Sequence, residues 1–101
     1  MRMLMDVSFP VEPFNTLVKN GAAGQKIEQI LADIKPEAVY FTEGKGKRRA
    51  IVIVDIPDPS RVPSFAEPFF LTFNASVELR IVMAPEDLAK AGLEDLAKKY
   101  G

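Results

Sequence analysis

Five side chains in this sequence have types and positions that could do chemistry together: Asp6, Tyr40, Arg49, Glu78 and Arg80. Two carboxylates beside two guanidinium groups and a phenol can hold a small anionic or hydroxylated ligand, and a carboxylate or phenol can move a proton. The chain contains no His and no Cys. A Ser-His or Cys-His nucleophile system, imidazole and thiolate metal sites and disulfides are therefore excluded, leaving carboxylates, Tyr, Lys and Arg. No metal and no cofactor is expected.

The elements that must position these residues follow from periodicity. Asp6 falls in Met1 to Phe9, where Met3, Met5, Val7 and Phe9 alternate with Leu4, Asp6 and Ser8, the two-residue period of a strand. Tyr40 and Arg49 fall in Ala38 to Glu43 and Arg48 to Ile56, two segments rich in β-branched and aromatic residues around Gly44-Lys45-Gly46-Lys47, which predicts a hairpin. Glu78 and Arg80 share one face of Ala75 to Met83, opposite Val77, Leu79, Ile81 and Met83.

Between the strands the period changes to that of helices. Phe14, Leu17 and Val18 form one apolar stripe and Ile27, Ile30, Leu31 and Ile34 another, on opposite sides of any continuous helix. With Asn20-Gly21 between them, the pattern predicts a helix over 12–20, a turn, and a second helix over about 23–35. Asp58-Pro59-Ser60 reads as a helix start, but Pro63 and Pro68 follow, which predicts short kinked turns rather than one regular helix. Ala84-Pro85-Glu86-Asp87 opens a C-terminal helix, with a break expected at Gly92.

The resulting order β-α-β-β-α-β predicts an α+β, ferredoxin-like domain with a four-stranded antiparallel sheet over 1–83, and 84–101 as a C-terminal helical extension of the same domain. The sheet face carrying Met3, Met5, Val7, Val39, Phe41, Ala50, Val52, Val54, Ile56, Val77, Leu79 and Ile81 is apolar on all four strands and is expected under the helices. The other face mixes the five chemical candidates with Leu4, Ile51, Ile53 and Val82, more apolar surface than a monomer leaves exposed. A homodimer through this face is the expected solution.

Here the chain resembles the dimeric α/β-barrel superfamily, in which two ferredoxin-like subunits pack sheet to sheet, and within it a small uncharacterised bacterial single-domain family. The residues that carry the resemblance are Phe14-Asn15-Thr16-Leu17-Val18-Lys19-Asn20-Gly21, the hairpin strand Gly46-Lys47-Arg48-Arg49-Ala50-Ile51-Val52-Ile53-Val54, and Glu78-Leu79-Arg80-Ile81-Val82-Met83-Ala84-Pro85-Glu86-Asp87-Leu88. None is a catalytic signature. The resemblance implies a small homodimeric barrel protein, either non-catalytic or holding a small apolar or anionic molecule in its lumen. Because enzymes of the superfamily include cofactor-independent oxygenases and isomerases, it also admits an enzyme acting on a small apolar or aromatic acid.

Each candidate has a plainer reading beside the functional one. Asp6, Glu78 and Arg80, placed on neighbouring strands with Tyr40 and Arg49 further across, can neutralise one another rather than bind a ligand. Phe65, Phe69, Phe70 and Phe73 can wall an apolar pocket or fill the core. Lys45, Lys47, Arg48 and Arg49 make a basic hairpin tip, but the following strand lacks the stacking aromatics of an RNA-binding sheet. Thirteen basic and fourteen acidic side chains give a net charge of -1, no field for nucleic acid or anionic lipid. With 48% apolar residues, no span of about 18 apolar residues and no secretory pattern at Met1 to Pro13, a cytoplasmic protein without membrane or nucleic-acid partners is expected.

Overall fold

The computed structural model describes residues 1–101. Four strands, β1 (Arg2–Ser8), β2 (Ala38–Gly44), β3 (Lys47–Asp55) and β4 (Ser76–Ile81), form one antiparallel sheet in the order β2-β3-β1-β4. Helices α1 (Val11–Lys19) and α2 (Ala23–Ile34) connect β1 to β2, and α3 (Val62–Phe73), entered through a 3-10 turn at Pro59–Arg61, connects β3 to β4. Each connection passes over a strand that it does not pair with. This α+β architecture is compatible with the ferredoxin-like arrangement.

The local structure follows the sequence closely. Gly21, at φ 79, takes the left-handed turn between α1 and α2 that reorients the second apolar stripe. The hairpin loop is two residues, Lys45 and Gly46, both at positive φ, with Gly44 opposite Lys47 as the last pair. The Asp58 side chain accepts from the Ser60 backbone N–H at 3.0 Å and caps the 3-10 turn.

The segment after it corrects the expectation of broken turns: Val62–Phe73 is one helix containing both prolines. Pro63 lies in its first turn, where a backbone N–H has no helical partner to lose. Pro68 is internal and removes one hydrogen bond, a loss outweighed by burial of Phe65, Phe69 and Phe73 on the sheet. Phe9 meets Phe14 and Phe73 edge to face, with ring centroids 5.1 Å apart in each pair, and Phe14 stacks on Phe73 at 4.9 Å. These rings pack into the core between helices and sheet, whereas Phe70 lies outside that cluster and is partly exposed.

The helices cover Met5, Val7, Ala50, Val52, Val54 and Ile56, all fully buried. They do not reach the whole face. Phe41 on one edge strand and Ile81 on the other are 58% and 64% exposed, because the helical layer is centred over β1 and β3.

Beyond β4 the C-terminal extension breaks at Gly92, at φ 73, into two helices, α4 (Pro85–Ala89) and α5 (Leu93–Tyr100), where the sequence places the break. Every residue from Pro85 onward is exposed. The arm stretches the molecule to 60 × 28 × 19 Å, with a radius of gyration of 17.1 Å, against about 13 Å for a compact chain of this length. No helix is long and apolar enough to cross a membrane.

Candidate functional site

The sheet face turned away from the helices is an ordered grid. Antiparallel register sets Thr42, Arg49, Ser8 and Ser76 in one row across the four strands, then Tyr40, Ile51, Asp6 and Glu78, then Ala38, Ile53, Leu4 and Arg80. A last, shorter row holds Asp55, Arg2 and Val82. No element of the chain lies over this face. All five sequence candidates stand on it.

Asp6, near the centre, is the one charged side chain that is buried, at 8% exposure. Arg49 grips it bidentately, Nε donating to Oδ1 at 2.8 Å and Nη2 to Oδ2 at 2.9 Å. Arg80 approaches the same carboxylate less closely, Nη2 to Oδ2 at 3.5 Å, and donates from Nη1 to Glu78 Oε2 at 3.3 Å. The expected partnership is thus redistributed. The main counter-ion of Asp6 is Arg49, placed by sequence reasoning on the far side of the cluster, and Arg80 is secondary.

Register explains the exchange. Arg49 lies opposite Ser8, one row from Asp6, a diagonal that a guanidinium spans easily. Gly44 gives that side chain room, since a Cβ there would fall 2.5 Å from Arg49 Nη1. In the sequence Gly44 reads only as part of a turn, and its role beside Arg49 is invisible without the pairing of β2 and β3.

The hydrogen bond from Arg49 holds the Asp6 carboxyl below its ordinary range; desolvation opposes this, and the charges of Arg49 and Arg80 reinforce it. The same contact raises Arg49. A carboxylate with both oxygens engaged and lowered basicity is a weak general base. The four charged groups sum to zero, and no buried side-chain polar atom lacks a partner. Tyr40 stands apart, 67% exposed and separated from Asp6 by Ile51.

The basic hairpin tip is partly engaged as well. The Arg48 guanidinium lies 4.4 Å from the Phe14 ring centroid and donates to Asn15 Oδ1 at 2.8 Å. No group of three carboxylates is close enough to hold a metal ion. No protein-family profile matches the chain, and comparison with curated proteins gives no match.

Proposed function

We propose that this chain acts as a non-catalytic homodimeric module of the dimeric α/β-barrel type, two copies packing sheet to sheet around a neutral, ion-paired centre. The observation that carries this reading is the uncovered sheet face, where half-buried Leu4, Ile51, Ile53 and Val82 form an apolar band around Asp6, Arg49, Glu78 and Arg80. Such a band favours a partner that removes it from water. A second copy supplies a complementary surface by two-fold symmetry. The internal pairing of all four charges supports neutralisation rather than ligand capture, because a site built for an anion keeps unpaired donors to receive it.

Light scattering at micromolar concentration tests the proposal. The expected result is twice the chain mass. A monomeric mass would overturn it.

A further inference from the structure

The C-terminal arm offers the second unpartnered surface of this molecule. In α5, Leu93, Leu96, Ala97 and Tyr100 recur at i, i+3, i+4 and i+7, one apolar stripe that faces solvent along its whole length. Pro85, Leu88, Ala89 and Leu93 floor an open concave elbow between α4 and α5. With five and eight residues, these helices are shorter than the roughly 12–15 residues that an isolated helix needs in water. Their helicity requires a surface to pack on, and their own domain does not provide it.

A receptor for such a stripe exists at the root of the arm. Met3, Ile56, Val62 and Ile81 line an apolar notch of about 300 Å³ where α3 leaves the end of the sheet uncovered. Asp58 stands on its rim, opposite in charge to Lys98 and Lys99 beside Tyr100. Every residue of the arm is exposed and none of them lines its own chain's notch, so both surfaces stay open within one chain and are free to meet in a second molecule. A two-fold pair seats both arms at once and leaves neither surface over.

The size of the interface points the same way. The open sheet face offers three rows of four side chains and one of three, short of the roughly 20–30 residues per side of a stable interface. The arm adds what is missing.

We propose that α4 and α5 of each protomer cross to a second copy of this chain and seat the Leu93, Leu96 and Tyr100 stripe in its Met3, Ile56, Val62 and Ile81 notch; this rests on the dimeric reading above. Because the chain has no Cys, the double variant Ile81→Cys with Leu96→Cys tests it by disulfide formation under mild oxidation. Both positions are exposed, so no core packing is lost.

The expected product is a species of doubled mass on non-reducing electrophoresis, with peptide mapping that joins position 81 of one chain to position 96 of the other. A disulfide within one chain, a doubled species from Leu96→Cys alone, or no disulfide in a protein that light scattering finds dimeric would each overturn arm exchange and leave the sheet dimer standing. A monomeric wild-type protein would overturn both. As a second readout, Leu93→Asp with Leu96→Asp should weaken the dimer at least tenfold while far-ultraviolet dichroism retains the signal of the sheet and its three covering helices. An unchanged dissociation constant would contradict the exchange.

Discussion

Asp6 shows how a single position can look chemical and act structurally. A carboxylate on a strand, flanked by the apolar residues Met5 and Val7, is a candidate acid, base or ligand group until its partners are known. The bidentate grip of Arg49 supplies them. Removing the carboxylate strands a half-buried guanidinium, so Asp6→Ala should destabilise the protein by about 2 kcal/mol, below the usual range for a fully buried pair because Arg49 retains contact with water. Arg80→Ala should cost less than about 1 kcal/mol, since its contact with Asp6 is 3.5 Å and its side chain is 56% exposed. Urea unfolding at fixed protein concentration compares them, and an Arg80→Ala loss equal to that of Asp6→Ala would mean that Arg80 is the dominant partner.

The same pair predicts a pH dependence. The native carboxyl of Asp6 titrates lower than it would in the unfolded chain, so its contribution is fully present above the ordinary Asp range. It is lost as pH falls through the lowered native value, where the folded state takes up the proton. The stability difference between wild type and Asp6→Asn should therefore be constant from neutral pH to about pH 5 and shrink below it. A difference that grows on acidification would contradict the assignment.

At the scale of elements, α3 is the instructive case. Its two prolines argue against a helix, while its phenylalanines recur at 65, 69 and 73, four residues apart on one face. Burial against Phe9 and Phe14 decides the outcome, because large aromatic rings contribute more than one lost backbone hydrogen bond. Phe73 is fully buried and touches both rings. Phe73→Ala should cost about 4 kcal/mol, and thermal unfolding should show a much smaller effect for Phe70→Ala, whose ring is partly exposed. Equal losses would place Phe70 in the core.

At the scale of the whole molecule, one face of the sheet and one arm are left without partners by the chain itself. Ile53 sits between Ala38 and Leu4 on the open face, half-buried in a single copy. Ile53→Lys should place a charge in the proposed interface and yield a folded monomer by light scattering, with unfolding that no longer depends on protein concentration. A dimer that persists with unchanged affinity would mean that the two copies meet elsewhere, through the arms or a sheet edge.

The sequence by itself determined the four strands, the first two helices and the faces they present. Two-residue alternation in Met1 to Phe9 and Ala75 to Met83, the phase change across Asn20-Gly21, and the glycine turn at 44 to 47 are local signals, each read within one or two turns of chain. They sufficed for the strand and helix order and for placing Asp6, Tyr40, Arg49, Glu78 and Arg80 on one face. Tertiary structure decided which of them touch: pairing Arg49 with Ser8 and Gly44 with Lys47 depends on register between strands more than forty residues apart in the case of β1 and β3. Tertiary structure also decided that Val62–Phe73 is one helix and that the arm leaves the body. Both outcomes balance local backbone preference against burial on a surface assembled from distant segments, and that surface exists only once the sheet has formed.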